Sequence, residues 1–440
     1  MASNARFRHK PPMRHAPIPV KLFSENRQRL TARLAPNSLA IVHANDIVPT
    51  NSDGTLPMVA NSDLFYLTGI EQEETVLLLA PDAFDEKQRE ILFVREASEL
   101  LKTWEGAKHS KEEATKISGL KTVKLLSELP LTLRQLMCEA EHVYLNANEH
   151  KRAVIDVETR DARNARRLMH EYPLHDYRRL APLLHELRVV KSPEEIALLK
   201  QACAITRKGF LRALKKTKPG RWEHEIEAEF AHEFIRNRAR FAYTPIIAAG
   251  ANANVLHYIA NDQRMNKGEV LLLDVGASYA NYNADLTRTI PVSGRFSRRQ
   301  KQVYNAVLRV TRAMIDAARP GVLQRDWQKQ SKLLMNEELL ALGLLKRSDI
   351  KKQDADTPAS QKYFNHGLGH PLGLDVHDVG ILSKPFAPGW VLTVEPGLYL
   401  PEEGFGIRLE NDIVVTEGAP IDLMADTPIE ADEIEELMAK

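Results

Sequence analysis

Residues 269–290, EVLLLDVGASYANYNADLTRTI, decide the fold because they read as two strands joined by a polar turn. The apolar run 270–273 follows a Lys-Gly turn and predicts a buried strand. The stretch from residue 285 alternates in polarity and is β-branched, which predicts a second strand. If the two strands pair as an antiparallel hairpin centred on Tyr279 and Ala280, Asp274 lies directly opposite Asp285.

Two carboxylates at opposed hairpin positions need electrostatic compensation. Their Cβ atoms would lie about 4.5–5.5 Å apart on one face of the sheet. A buried pair of this kind is costly unless a cation or a group of hydrogen-bond donors lies beside it. Either residue alone is typical of a strand end that caps a turn, but the matched positions of Asp274 and Asp285 favour a metal site.

The composition argues against several classes of protein. The chain has 440 residues, enough for two domains, and its net charge of +1 with interspersed acids and bases argues against nucleic-acid binding. We expect no membrane span, because no apolar run reaches about eighteen residues, and no signal peptide, because no apolar core follows the basic start. Cys138 and Cys203 are interpreted as buried thiols in a reducing compartment, which predicts a cytoplasmic protein.

The chain changes character near residues 181–191. Before this boundary, short apolar runs, with residues 65–67 among the predicted strands, alternate with helical stretches, which predicts an α/β domain. After it, Ser192-Pro193-Glu194-Glu195 predicts the capped start of a helix. We therefore predict an N-terminal domain over residues 17–177 and a second domain over residues 187–440.

Three histidines lie close together in the last third of the chain. The glycine-flanked stretch 365–373, NHGLGHPLG, carries His366 and His370, and His377 follows it. Glycine lets the backbone approach a ligand closely. One histidine here would be ordinary, whereas three within twelve residues indicate a site.

Two later predicted strands carry glutamates. In the stretch 391–397, VLTVEPG, Thr393 and Glu395 share a face, and in the stretch 407–414 Arg408 and Glu410 share a face. Either glutamate alone fits a half-solvated edge strand.

Together these motifs supply four carboxylates and one imidazole, which are Asp274, Asp285, His370, Glu395 and Glu410. The set is too acidic to be buried without cations. Because the set is rich in oxygen, it is more typical of an ion such as manganese than of a thiolate-type zinc site. Because carboxylates can bridge, we expect two ions about 3.5–4 Å apart, which would lower the pKa of a bridging water and give a hydroxide nucleophile near neutral pH.

The ordered motifs LLDVG, DLTRT, HGLGH, LTVEPG and IRLEN resemble those of the pita-bread metallopeptidases, the family of methionine aminopeptidase, prolidase, aminopeptidase P and creatinase. Within that family, NSDLFYLTG at residues 61–69 and LGLDVHDVG at residues 372–380 resemble the Xaa-Pro aminopeptidases. The resemblance extends over residues 17–438. It implies a creatinase-like α/β domain followed by an α+β pita-bread catalytic domain.

The resemblance implies a role for each predicted ligand. Asp274 and Asp285 would hold one ion, with Asp285 shared between both ions. His370 would bind the other ion, and Glu395 and Glu410 would complete or bridge the pair. The expected cofactor is therefore two divalent ions, with manganese favoured.

The resemblance also assigns residues on the substrate side. His257 and His377 would contact the substrate near the scissile bond, and His366 would line the proline pocket. In the implied reaction, the hydroxide attacks the carbonyl carbon before proline, and His257 or His377 helps a metal ion to stabilise the oxyanion. Glu395 would carry the proton to the proline nitrogen.

Four further residues match supporting positions of the family. Arg408 would either contact the metal ligands without binding the ions or contact the substrate. Thr287 would contact the metal ligands without binding the ions. Asp53 and Trp104 match residues that reach the site of a neighbouring subunit in relatives, which implies a homodimer or homotetramer.

The predicted activity is release of the first residue from peptides with proline in second position. A prolidase and a non-catalytic binding module of the same fold are the alternatives, and the five intact ligand positions argue against the second. The loop at residues 396–405, between Glu395 and Glu410, contains Glu402 and Glu403 and no basic residue, and Arg408 is the only nearby cation. If these two acids face the site, they would repel the carboxylate of a dipeptide, which favours an aminopeptidase over a prolidase.

Overall fold

The computed structural model describes residues 15–96, 98–154, 156–354 and 358–439. The chain divides into two compact units, residues 1–188 and residues 189–440. None of the helices in the described ranges is both long and apolar enough to cross a membrane.

The first unit is built on a six-stranded mixed sheet. Its strand order is β4-β3-β2-β1-β5-β6, in which β2 runs antiparallel to β1 and β3, and the other pairs are parallel. The strands are β1 Ser38–His43, β2 Val76–Leu79, β3 Glu90–Val94, β4 Thr122–Leu125, β5 His142–Leu145 and β6 Asp176–Arg179. The helices are α1 Val20–Thr31, α2 Ser62–Thr68, α3 Glu99–Glu105, α4 Lys111–Ser118, α5 Leu129–Glu139, α6 Arg160–Glu171 and α7 Ala181–Arg188.

Two sequence-based expectations fail in this unit. Residues 65–67 belong to the buried helix α2, not to a strand. The Asn61 side chain caps the start of this helix by accepting from the backbone N–H groups of Asp63 and Leu64, and Gly69 ends the helix at φ 69°. Periodicity alone cannot show whether so short an apolar run forms a helix or a strand. Cys138 is exposed, whereas Cys203 is buried as expected.

The second unit combines short sheets with long helices. The strands are β7 Arg240–Phe241, β8 Ile246–Ala249, β9 Val270–Asp274, β10 Ala277–Tyr279, β11 Tyr282–Asn283, β12 Thr287–Pro291, β13 Val391–Val394, β14 Gly397–Leu400, β15 Phe405–Arg408, β16 Asn411–Val414 and β17 Ile421–Asp422. They form sheets of order β11-β10-β7, β12-β9-β8, β13-β16-β17 and β14-β15. The helices are α8 Pro193–Lys216, α9 Glu223–Arg236, α10 Arg298–Ala317, α11 Gln324–Ala341, α12 Arg347–Lys351 and α13 Ala431–Met438.

One large hydrophobic core joins the helices and sheets of this unit. It contains Phe230 of α9, Leu271 of β9 and Trp327 of α11, among others. Helix α8 begins at the predicted capping box, in which the Ser192 side chain accepts from the backbone of Glu195. That prediction is confirmed.

The predicted hairpin forms, but its register differs by two residues from the expected one. Thr287, not Asp285, lies opposite Asp274, and Tyr279 pairs with Tyr282. The two central turn residues, Ala280 and Asn281, both have positive φ, at 51° and 63°. This is the backbone of a two-residue turn whose twist matches that of the flanking strands. Because side chains alternate with a period of two, a shift of two residues keeps every side chain on its predicted face.

Candidate metal centre

Strand ends of the second unit supply four of the predicted ligands, and His370 lies in a loop beside a strand. Asp274 is the last residue of β9, and Asp285 lies just before β12. Glu395 directly follows β13, and Glu410 lies between β15 and β16. His370 lies beside β13, since its backbone N–H donates to the Thr393 hydroxyl at 3.1 Å and its carbonyl accepts from the Thr393 N–H at 2.9 Å.

Three of the five side chains form a compact buried group. Asp285, His370 and Glu410 each offer a ligand atom within 4.8 Å of the others. His370 Nε2 lies 3.6 Å from an oxygen of Asp285 and 3.6 Å from an oxygen of Glu395, which adds the fourth residue.

Tyr243 connects the fifth residue to this group. Its hydroxyl lies 2.5 Å from Asp274 Oδ1 and 2.5 Å from Asp285 Oδ1. A phenol has one proton to donate, so it satisfies one carboxylate only. The other oxygen of Asp274 accepts from Arg408 Nη2 at 2.5 Å.

Burial and the crowding of carboxylates raise the pKa values of two acids of the site. Burial, followed by the negative charges of Asp274 and Asp412, raises the pKa of Asp285 well above its ordinary value. Burial, followed by the charges of Asp285 and Glu395, raises the pKa of Glu410 well above its ordinary value. Four acids and an imidazole at these separations are a set that hard or borderline divalent ions satisfy, so the residues present fit a metal centre.

Arg408 lies behind Asp274, where protein groups engage its guanidinium. It is 3 % exposed, and it also donates to the Tyr399 hydroxyl at 2.9 Å and to the Thr287 hydroxyl at 3.2 Å. Burial disfavours its charge, but Tyr399, Asp274 and other acids outweigh burial and raise the pKa of Arg408 well above its ordinary value. Thr287 in turn donates to Glu410 Oε2 at 2.7 Å, so it connects Arg408 to a predicted ligand.

His366 lies at the edge of the carboxylate group as a neutral imidazole. Burial, followed by the charge of Arg408, lowers the pKa of His366 to about 3. Its Nδ1 lies 2.7 Å from the Gly367 carbonyl, and its Nε2 lies 2.7 Å from the Tyr399 hydroxyl. A neutral ring that donates to the carbonyl must accept from that hydroxyl, which gives a chain of hydrogen bonds from Arg408 through Tyr399 to His366.

The other two histidines lie in separate loops. The ring of His377 contacts that of His370 edge-on, with centroids 4.3 Å apart. His257 lies in an exposed turn after the short 3-10 helix Gly250–Asn254.

Asp53 and Trp104 belong to the first unit. Both side chains are exposed, and Trp104 is 81 % exposed on α3.

The acids of the loop between Glu395 and Glu410 are already paired. Glu403 accepts three hydrogen bonds from Arg299, at 2.7, 2.8 and 3.2 Å, and Glu402 lies 3.9 Å from Lys362 Nζ. The structure therefore does not support the expectation that these two glutamates would repel a dipeptide's carboxylate, because each has a cation of the chain beside it.

Sequence reasoning missed Tyr243 and Tyr399. Tyr243 lies 31 residues before Asp274 in the chain, in a stretch with no ligand-type spacing. Tyr399 lies on β14 among buried apolar residues, where an aromatic residue is read as core. Only the folded backbone brings either hydroxyl to the site.

Comparison with known proteins identifies the family. Residues 197–417 match the model of metallopeptidase family M24, and residues 23–144 match the N-terminal domain of aminopeptidase P. The chain is 36% identical to the Xaa-Pro aminopeptidase of Escherichia coli K12, over 94% of this chain and 97% of that protein. It is 34% identical to the Xaa-Pro aminopeptidase of Haemophilus influenzae, over 96% of this chain and 98% of that protein.

A solved structure shows the same fold. The zinc-substituted E. coli aminopeptidase P in complex with product superposes with a TM-score of 0.85 at 34% identity, covering 96% of this chain and 99% of that chain. The two-part fold and the family predicted from the motifs are thus confirmed. The chain belongs to metallopeptidase family M24, with the domain organisation of aminopeptidase P.

Proposed function

We propose that the protein is an Xaa-Pro aminopeptidase that releases the first residue from peptides with proline in second position. The observation that carries the proposal is the buried group of Asp285, His370 and Glu410, whose ligand atoms lie within 4.8 Å of one another. The names of the relatives support the substrate class, and structures of the E. coli enzyme contain a product, a substrate or the inhibitor Pro-Leu.

Five residues would hold two divalent ions, and they are Asp274, Asp285, His370, Glu395 and Glu410. When bound, such a pair lowers the pKa of a shared water, so that a hydroxide forms near neutral pH. Manganese is our preferred ion because the donor set is rich in oxygen.

The histidines act on the substrate. His257 and His377 would donate hydrogen bonds to the oxyanion that develops at the carbonyl before proline. Glu395 would transfer a proton to the proline nitrogen, whose departure as an amine requires it. His366 would line the proline pocket, and its neutral ring in edge contact with Phe364, at a centroid distance of 5.0 Å, suits a pyrrolidine better than a charged group would.

Arg408 would support the metal ligands, because each of its three nitrogens donates to a protein group: Nη2 to Asp274, Nη1 to Tyr399 and Nε to Thr287. This geometry favours the supporting role over direct substrate contact.

The remaining proposals concern the whole protein. The N-terminal domain would span residues 17–177 and the catalytic domain residues 187–440. Asp53 and Trp104 would complete the substrate site of a neighbouring subunit in a homodimer or homotetramer. The protein would act in the cytoplasm, with neither nucleic acid nor membrane as a partner, a location that its two free cysteines favour.

The discriminating experiment compares kcat/KM on Gly-Pro with kcat/KM on Gly-Pro-Gly-Gly, in the presence of manganese. The proposal expects faster cleavage of the tetrapeptide, whereas a clear preference for the dipeptide would make the protein a prolidase. Absence of turnover on both peptides by the manganese-loaded protein would favour the non-catalytic binding module.

A further inference from the structure

Glu223, the first residue of α9, is a fully buried carboxylate at 0 % exposure. Among the described residues, its two oxygens accept four hydrogen bonds from uncharged donors, two of them backbone N–H groups and two of them side chains. All four donors belong to residues 249–263, the segment that carries His257.

The donors are distributed over the whole of this segment. The backbone N–H of Ala249 donates to Oε1 at 2.7 Å at the start, and that of Gln263 donates to Oε2 at 2.9 Å at the end. The Asn252 amide donates to Oε1 at 3.3 Å, and the hydroxyl of Tyr258 donates to Oε2 at 2.8 Å. Tyr258 is the next residue after His257, so the carboxylate fixes the chain beside that imidazole.

The same segment is held from its other side by close packing. The ring of Tyr258 packs against a small core of Ile246, Ala248, Ala253 and Leu272. A Cβ at Gly406 of β15 would lie 2.4 Å from the Ala253 carbonyl oxygen, so only glycine permits this approach. His257 itself remains exposed. The base of the segment is therefore rigid while its histidine faces solvent.

We propose that Glu223 is a positioning residue for the reaction, because it fixes the 249–263 segment so that His257 is held towards the substrate. This inference rests on the proposed function, in which His257 contacts the reacting group. A rigid base matters because catalysis depends on the placement of the donor, and displacement by about 1 Å can cost about 10²-fold in rate.

The chemistry of glutamine makes a sharp test. In Glu223→Gln, an NH₂ group replaces one of the two oxygens. An NH₂ group accepts no hydrogen bond, so the donors that faced this oxygen lose their partner. Tyr258→Phe removes only the hydroxyl, which contacts Glu223 at 2.8 Å and Asp262 at 3.2 Å, and it leaves the other three donors to Glu223 in place. Glu229→Gln is the matched control, because Glu229 lies on the same helix and its side chain is paired with Arg212 rather than with the segment.

The experiment measures kcat, KM and bound manganese on Gly-Pro-Gly-Gly for each single variant, for His257→Ala and for the double variant Glu223→Gln/His257→Ala. We expect Glu223→Gln to lower kcat by about 10²-fold and Tyr258→Phe by about tenfold, with manganese content and KM nearly unchanged and with Glu229→Gln like the parent. In the His257→Ala background, Glu223→Gln should cost less than about threefold, because both changes remove the same interaction.

Three outcomes would overturn the inference. An equal loss from Glu223→Gln in both backgrounds would assign Glu223 to the general stability of the fold. Full activity of Glu223→Gln and Tyr258→Phe beside an impaired His257→Ala would overturn this inference and leave the proposed function standing. Full activity of His257→Ala would overturn the role of His257 as well. If Glu223→Gln does not fold, the same cycle with Tyr258→Phe decides.

Discussion

Asp274 lies directly opposite Thr287 in the antiparallel pair of β9 and β12, and both side chains belong to one hydrogen-bonded system around Arg408. Thr287 connects this hydrogen-bonded system to Glu410, because its hydroxyl donates to Glu410 Oε2 at 2.7 Å. The strand pairing thus connects carboxylates that are far apart in the sequence. Loss of a group that orients a metal ligand in this way typically costs about 10–100-fold in metal affinity.

Thr287→Val should weaken manganese binding by about 10–100-fold. The change removes the hydroxyl that accepts from Arg408 and donates to Glu410. Thr287→Ser is the matched control, since it keeps the hydroxyl and should bind manganese as the parent does. Titration of the metal-free proteins measures both affinities. Parent-like affinity in Thr287→Val would show that the hydroxyl does not orient Glu410.

Asp285→Ala and Glu410→Ala should each give a folded protein with depleted metal and little activity, because each change removes a ligand from the buried group. Metal analysis after dialysis, with circular dichroism for the fold, makes the measurement. A metal-replete and fully active Asp285→Ala protein would be incompatible with the proposed centre.

His257→Ala should lower kcat by about 10²–10⁴-fold while metal content stays near that of the parent, as expected for a positioned proton donor outside the ligand group. Steady-state kinetics combined with metal analysis separates the two effects. A parallel loss of metal and activity would instead make His257 a ligand.

The sequence predicted which side chains lie near one another better than it predicted the geometry that joins them. The five proposed ligand positions follow from residue type and motif order, and the faces of Asp274 and Asp285 survive the two-residue register shift because that shift preserves alternation. The register itself depends on a turn in which Ala280 adopts a positive φ, where the usual signal would be Asn or Gly. Tyr243 gave no signal, since its role depends on a contact across 31 and 42 residues.

Trp104→Ala should lower kcat/KM and shift the protein towards smaller species, because an exposed tryptophan on α3 is typical of a contact with another protein surface. Leu100, on the same helix, is 69 % exposed and would extend that apolar surface. Sizing in solution should give a dimer or tetramer for the parent. Phe84→Ala is the control, since Phe84 is 95 % exposed in a loop of the same unit, away from α3 in the sequence. A strictly monomeric parent with full activity would contradict the proposed assembly.

Removal of the metal should make stability depend strongly on pH. Burial and neighbouring carboxylates raise the pKa values of Asp285 and Glu410 in the folded, metal-free protein above those of the unfolded chain, which are about 4. The folded state therefore binds more protons than the unfolded state above about pH 4, so its free energy of unfolding falls as pH rises towards the raised pKa values.

Thermal unfolding of chelator-treated protein at pH 6 and pH 8 tests this sign. The midpoint should be lower at pH 8 for the metal-free parent, and Asp285→Asn or Glu410→Gln should reduce the difference by removing one of the crowded charges. Manganese should restore the parent at pH 8 by binding the folded state alone, but it should restore the variants poorly. Glu402→Gln is the control, because Glu402 is exposed and should leave the pH dependence unchanged. A metal-free parent that is more stable at pH 8 than at pH 6 would mean that the carboxylates are compensated by protein groups, and the case for a cation at this position would then fail.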